Sequence, residues 1–426
     1  TRYWLDTMNV DGFRLDAIKH LFEDGQIMEH VPATFTFLEE FRTVYKAAKP
    51  DALTVGEVWS STSQVVPYSN GNRLDICFEF DLASAIINGI KNSAPAGLGN
   101  KIASVASLYQ PLQYATFLSN HDQDRVWGIL NQNEKWSKLA ASIYLTLPGV
   151  PFIYYGEEIG MNGYGIDENK RRPMPWTPGT NGGFTTGTPW YALGTPYNLN
   201  NVQTMSASPT SLLSRYRDLI HLRNRETALR RGGYRSASTA GGTLLAYCRD
   251  LDNEAILVIH NFSEFPVSNY TVSLNQSNLD PGNFYVLNAE TGAGMARLDV
   301  NFQGGFANFA VPGELAGRGT MILKIQTTPV GVEDETTAPE SFTLYQNYPN
   351  PFNPSTVVSF AVDKRSTVDI SVYDIRGEKI TTLHNGITEP GIHSVDFNAN
   401  NLPAGMYLIR ATNGSTQKVI KAVLVK

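Results

Sequence analysis

The chain has 426 residues, of which 42% are hydrophobic and 17% charged, with a formal net charge of −6. That length exceeds one compact domain and points to two or three; the composition is that of a folded globular protein, and the acidic balance argues against nucleic acid as a general partner. No run approaches the roughly 18 consecutive apolar residues that a membrane helix needs, so no membrane span is expected.

Thr1 opens inside a predicted helical stretch (Tyr3, Trp4, Met8) with neither an initiating Met nor a signal peptide, which reads as a fragment of a longer protein. Val10 to Ile18 then alternates, so that Phe13 and Leu15 share one face of a short strand while Arg14 and Asp16 share the other. Helical spacing follows over 34–49 (Phe37, Phe41, Val44, Tyr45). The next strands are predicted at Ala52–Trp59, 75–82, Tyr114–Leu118 and Val150–Tyr155, with helices from Ala83 and over 135–147. Polar residues gather where these strands end: Asp16, Glu57, Ser119-Asn120-His121-Asp122 and Gly156-Glu157-Glu158. Alternating strands and helices with chemistry at the strand ends indicate a parallel β/α-barrel. Asp16 and Glu57 stand about one βα unit apart and Glu57 and Asp122 about two, which sets all three at one end of it.

Residues 161–210 are rich in Gly, Pro, Thr and Asn around Arg171-Arg172-Pro173-Met174-Pro175-Trp176. A loop this long is either functional or disordered. A helix is predicted over 211–231, with Leu212, Leu213, Tyr216, Leu219 and Leu222 facing inward; the arginines between 223 and 231 read as a solvated face. From Gly232 the period becomes two, giving strands at 244–248, 255–261, 267–274, 283–289, 306–311 and 319–325, an antiparallel sandwich. Residues 328–341 have the Thr-, Pro- and Glu-rich composition of a linker. Beyond it, 342–426 opens on a turn-dense run with Pro349, Pro351 and Pro354 and continues as strands at 357–362, 368–373, 393–397, 406–412 and 418–425. Nothing in this last module looks catalytic. Cys77 and Cys248 fall in different predicted domains and lack metal-ligand spacing.

Two of the strand-end carboxyls suit complementary roles. A guanidinium beside Asp16 favours the carboxylate, although an Arg–Asp ion pair or a helix cap explains the same two residues. Glu57 sits in sequence among Val55, Val58 and Trp59, an apolar setting that favours the protonated form. One ionised and one protonated carboxyl is what glycosidic cleavage with retention requires.

The decapeptide from Asp11 to His20 resembles the second conserved region of the α-amylase family, the retaining glycoside hydrolases of family thirteen. Gly56-Glu57-Val58-Trp59 resembles the third, and Phe117-Leu118-Ser119-Asn120-His121-Asp122 the fourth. The resemblance implies Asp16 as nucleophile, Glu57 as acid/base, Asp122 as a partner of the sugar hydroxyls, and Arg14, Lys19, His20 and His121 as substrate-binding groups. Pro148 to Gly160 is similar to the family's last barrel strand, its Tyr and Glu residues reading as structural.

The first conserved region and the calcium-binding excursion after the third strand are absent. Calcium is therefore implied for the full-length protein with its ligands mostly outside this chain, and no metal ligand is assignable; the chain alone is expected to be inactive. Tyr348-Pro349-Asn350-Pro351-Phe352-Asn353-Pro354 and Leu402-Pro403-Ala404-Gly405-Met406-Tyr407 resemble the C-terminal sorting domain of proteins exported by the type IX secretion system of Bacteroidetes-like bacteria, implying that machinery as a partner and a secreted or cell-surface protein.

The expected architecture is thus a partial (β/α)8 TIM barrel (strands 4 to 8) over 1–231, a β-sandwich over 232–327, a linker over 328–341 and a small Ig-like β-sandwich over 342–426. The expected function is retaining hydrolysis of α-1,4-glucosidic bonds in starch, glycogen or maltooligosaccharides. The alternatives are a neopullulanase, α-glucosidase or transglycosylase of the same family, or a non-catalytic surface glucan-binding protein.

Overall fold

Gly12–Leu15 forms β1, and its pairing with Leu53–Gly56 (β2) is parallel, with Arg14 opposite Val55 and Leu15 opposite Gly56. The approach requires glycine: a Cβ on Gly12 would lie 1.8 Å from the Leu53 carbonyl oxygen. In the computed structural model, which describes residues 1–426 apart from 70–71, 195, 328–341, 348–349, 415 and 426, these strands begin a five-stranded parallel sheet. Helix α1 (Pro32–Ala48) connects β1 to β2, α2 (Thr62–Ser69) leads to β3 (Ile76–Phe78), and α3 (Phe80–Lys91) with α4 (Pro95–Leu108) leads to β4 (Tyr114–Thr116). Short α5 (Val126–Ile129) and α6 (Glu134–Thr146) precede β5 (Val150–Pro151), and the sheet order is β1-β2-β3-β4-β5. Sequential parallel strands joined by helices are the arrangement of a β/α-barrel wall. Val55, Ile76 and Ala115 make a small cluster on one face, while Ile18, Leu38, Ile86, Leu139 and Tyr144 belong to the main core on the helical side.

The 161–210 segment is ordered. It carries α7 (Asp167–Lys170) and α8 (Val202–Ser206), and Ile159, Met161 and Met174 form a buried cluster with Val202, Met205 and Leu213 against it. The helix expected over 211–231 breaks at Glu226 into α9 (Leu212–Arg225) and α10 (Thr227–Arg231). Its arginines are not one solvated face. Arg223 is buried and donates to the carbonyls of Leu145 (2.9 Å), Leu147 (2.8 Å) and Gly149 (2.7 Å), tying the helix to the chain that enters β5.

The following strands are β6 (Arg235–Thr239), β7 (Leu244–Leu251), β8 (Glu254–Asn261), β9 (Thr271–Leu274), β10 (Gly282–Asn288), β11 (Gly294–Val300), β12 (Phe306–Ala310) and β13 (Thr320–Gln326). They form one hydrogen-bonded sheet, ordered β11-β10-β13-β8-β7-β6-β9-β12, whose strands all contribute to a single enclosed core. Strands β6 and β11 are additions to the sequence reading; their stretches are too polar to stand out. The outward faces of β7 and β8 join the helical core through Tyr247, Ile256 and Val258, so barrel wall and sandwich form one unit, Thr1–Gly331.

Val332–Lys426 is the second unit. Strands β14 (Thr343–Leu344), β15 (Ser355–Val362) and β18 (Gly391–Asn398) make one sheet, and β17 (Lys379–Thr388), β16 (Ser366–Tyr373), β19 (Gly405–Asn413) and β20 (Thr416–Leu424) the other. Phe352, Phe360, Ile370, Phe397 and Ile409 fill its core. The expected linker, 328–341, lies outside the described residues, as do Tyr348 and Pro349 of the turn-dense opening. Cys77 and Cys248 are free and buried, and among the described residues no helix is long and apolar enough to cross a membrane.

Candidate active site

The parallel register puts Asp16 and Glu57 at neighbouring strand ends. Each follows its strand directly, and Glu57 N–H donates to the Leu15 carbonyl at 2.9 Å while Ile18 N–H donates to the Glu57 carbonyl at 3.2 Å. Between them Ala17 takes a left-handed conformation (φ 43°, ψ 40°), which costs a non-glycine residue roughly 1–2 kcal/mol. The turn aims its N–H at Glu57 Oε2, 3.2 Å away. A side chain at Gly56 would meet Leu74 Cδ1 at 2.4 Å and Ile18 Cδ1 at 2.7 Å, so the residue before Glu57 must be small.

Arg14 links the two carboxyls. Its Nη1 contacts Asp16 Oδ1, and its Nη2 donates to Glu57 Oε2 at 2.8 Å. The Arg14 guanidinium, then the Glu57 side chain hydrogen-bonded to it, hold the Asp16 carboxyl below the usual carboxylate range, with His121 adding a smaller pull. The Asp16 side chain is largely exposed and Glu57 is buried. The apolar setting expected for Glu57 is not found. Val58 packs into the helical core and Trp59 stacks on Phe80 at 5.0 Å, whereas the carboxyl itself accepts from Arg14 and Ala17. Arg14 comes from the neighbouring strand and Ala17 from the turn that follows it, and no local reading of 55–59 could reveal them.

The turn after β1 is fastened to its surroundings. Lys19 Nζ donates to the Trp59 carbonyl at 3.1 Å and pairs with Glu29 at 2.6 Å. His20 Nδ1 lies 2.9 Å from the Met28 carbonyl oxygen. Beyond β4, Asn120 Oδ1 accepts from the backbone of Asp122 at 3.0 Å, and His121 Nε2 lies 3.1 Å from Asp122 Oδ2. Asp122 Oδ1 accepts from Arg171 Nη2 at 2.7 Å, and Arg171 Nε donates to the His121 carbonyl at 3.1 Å. Arg171 and Glu29 were not among the residues singled out from sequence. Arg171 stood inside a run noted for its composition, and nothing local marked Glu29.

Glu157 lies apart from this cluster. Tyr144 and Tyr216 donate to its Oε1 at 2.7 and 2.8 Å, its Oε2 has no hydrogen-bond partner, and burial pushes its carboxyl up to about 7. That fits the structural reading.

What the strand ends offer is a pair of adjoining carboxyls, one held ionised, under a shared guanidinium, beside a half-exposed tryptophan. Residues 1–232 match the family model described as the α-amylase catalytic domain. The chain belongs to the α-amylase family. An α-amylase family relative, α-amylase 3 of Dictyoglomus thermophilum, is 35% identical over 298 residues, covering 68% of this chain and 56% of its own. The trehalose synthase/amylase TreS of Mycolicibacterium smegmatis is 28% identical over 321 residues, covering 62% and 54%. Among solved structures, an α-amylase from H. orenii superposes with a TM-score of 0.62 at 32% identity, covering 76% of this chain and 62% of that one. The chain thus spans about half the length of the curated relatives it matches.

Residues 346–426 match the secretion-system C-terminal sorting domain, which directs the protein through the type IX route to the cell surface or the extracellular space. Among the described residues no three His, Cys, Asp or Glu side chains converge to hold a metal ion.

Proposed function

We propose that the protein is a retaining glycoside hydrolase acting on α-1,4-glucosidic bonds of starch, glycogen or maltooligosaccharides. The observation that carries this reading is that Asp16 and Glu57 pair with one and the same Arg14 guanidinium, which holds the two carboxyls side by side. Inverting enzymes need about 6.5–9.5 Å between their carboxyls to admit a water; a retaining pair stands closer. Asp16, held ionised, attacks the anomeric carbon from one face as Glu57 protonates the departing glycosidic oxygen. The bond to the leaving sugar breaks and a glycosyl ester on Asp16 forms. Glu57, now a carboxylate, then takes a proton from water, which attacks the ester and releases a sugar of the original anomeric configuration.

Arg14 gives this sequence its order. While Asp16 is an anion the guanidinium stabilises it; once Asp16 is esterified, the same charge is free to stabilise the Glu57 carboxylate that acts as base. Asp122, with His121 beside it, would hydrogen-bond the hydroxyls of the distorted ring. Lys19, His20 and the open face of Trp59 border the path of the departing chain.

The direct test is release of reducing ends from maltoheptaose by the full-length protein and by its Asp16→Asn form. The reading requires turnover by the first and at least a thousandfold loss in the second, with binding retained. A second reading is transfer to a sugar acceptor, favoured by the relative named a trehalose synthase/amylase. Products longer than the starting oligosaccharide, or non-reducing disaccharide from maltose, would select it.

A further inference from the structure

A cavity of about 620 Å³ lies at the opposite end of the sheet from Asp16 and Glu57. Tyr114 and Gly149, at the starting ends of β4 and β5, line it together with α4, α10 and the first strands of the sandwich. Its size falls within the range of small-molecule sites.

Its charge is one-sided. Arg230, Arg231, Arg235 and Arg249 line it, and no Asp or Glu does, on a chain whose net charge is −6. Arg235 is spoken for by Asp250 at 3.2 Å, but Arg230 and Arg231 are exposed at the rim. The floor is more telling. Arg249 is fully buried and donates to the carbonyls of Thr146 (2.8 Å), Gly232 (2.8 Å) and Gly233 (3.0 Å). Arg223, buried behind it, is likewise bonded to carbonyls, and the two guanidiniums repel one another. Carbonyls satisfy the N–H groups but do not neutralise the charge, and the one buried carboxylate beside them, Asp250, pairs with Arg235 and offsets a single guanidinium, so the floor keeps a net positive charge that an anion would relieve. Around the rim, Gln110, Asn275, Gln276, Ser107 and Ser236 offer the amides and hydroxyls that sugar hydroxyls hydrogen-bond.

We propose that this cavity is a second ligand site, taking a phosphate-bearing sugar with its phosphate at Arg230 and Arg231 and its hydroxyls on the amide rim. A guanidinium pair recognises phosphate oxygens by forked, charge-assisted hydrogen bonds. The site stands independently of the chemistry at Asp16 and Glu57. Its ligand is either a free sugar phosphate or a phosphate ester carried on a glucan chain.

Calorimetric titration of the full chain with glucose 6-phosphate at low ionic strength tests this. Saturable binding is expected, with Kd raised at least tenfold in the double substitution Arg230→Gln/Arg231→Gln and unchanged in Asp16→Asn. Both replaced side chains are exposed, so the thermal midpoint of the double variant should match that of the parent. Phosphorylated and dephosphorylated amylopectin separate the two sources: retention of the phosphorylated form alone identifies a chain ester, and retention of neither, with glucose 6-phosphate bound, identifies the free sugar phosphate. The proposal is overturned if glucose 6-phosphate fails to saturate at millimolar concentration, if the double substitution leaves Kd unchanged, or if inorganic phosphate or glucose binds equally well.

Discussion

Arg14 Nη2 lies 2.8 Å from Glu57 Oε2 while Nη1 of the same guanidinium meets Asp16, so one cation on β1 serves carboxyls on two strands. Its removal should therefore act on both half-reactions. Arg14→Leu is expected to lower kcat by roughly 10²–10³-fold, the usual cost of removing one preorganised charge-stabilising donor. Because Arg14 is the largest cause of the lowered Asp16 pKa, the acid limb of kcat/KM should move to higher pH. A variant whose rate falls with that limb unmoved would show that Arg14 does not hold Asp16 ionised.

Glu157 predicts a pH dependence of stability. Its folded pKa of about 7 lies above the ordinary value of 4.5, so the folded state keeps a proton that the unfolded chain gives up. The stability this supplies is complete below about 4.5 and is lost as pH rises through about 7, by roughly 3–3.5 kcal/mol. Glu157→Gln keeps an acceptor for Tyr144 and Tyr216 and removes the titration. It should match the parent at pH 4.5 and exceed it in thermal midpoint at pH 8; equal midpoints at both would exclude a buried titrating Glu157.

His260 carries the opposite sign. Buried between Tyr247 (3.0 Å) and Thr320 (2.8 Å) and facing Arg215, its pKa is pushed down to about 3. The unfolded chain binds the proton first, so stability present above about 6.5 falls by about 1.4 kcal/mol for each pH unit below that, until the folded pKa is reached. In denaturant titrations between pH 6.5 and 4.5, His260→Asn should show a flatter profile than the parent. A slope unchanged by the substitution would assign the acid sensitivity elsewhere.

Much of this was legible from residue patterns. The five parallel strands announced themselves because short apolar runs end in polar residues, and Asp16, Glu57 and Asp122 follow β1, β2 and β4 as that pattern requires. Strand β17, by contrast, reads Lys-Ile-Thr-Thr-Leu-His-Asn-Gly-Ile-Thr, and its one buried residue is Thr388; an edge strand with so little to bury leaves no apolar signature. The donors to Glu57 and the burial of Arg223 were invisible for a different reason. Arg14 reaches Glu57 from the adjacent strand, and Arg223 finds its carbonyls in the chain before β5, contacts made between segments distant in sequence.

The C-terminal unit has a core of its own around Phe352, Phe360 and Phe397. A variant ending at Thr327 is expected to keep the hydrolytic rate of the parent and to remain inside the cell. Cell fractionation with activity assays of matched folded protein checks both halves; loss of activity in a folded truncate would tie the unit to catalysis.

Covalent capture tests the assignment of Asp16 and Glu57 most directly. An activated, ring-fluorinated α-glucosyl fluoride slows hydrolysis of the glycosyl ester, and Glu57→Ala removes the base that completes it. Peptide mass spectrometry of the protein so treated should find one glycosyl group on Asp16, in the parent and longer-lived in the Glu57→Ala form. A label on Glu57 or any other side chain, or turnover with no covalent species and the inverted anomer appearing first, would contradict a retaining mechanism with Asp16 as its nucleophile.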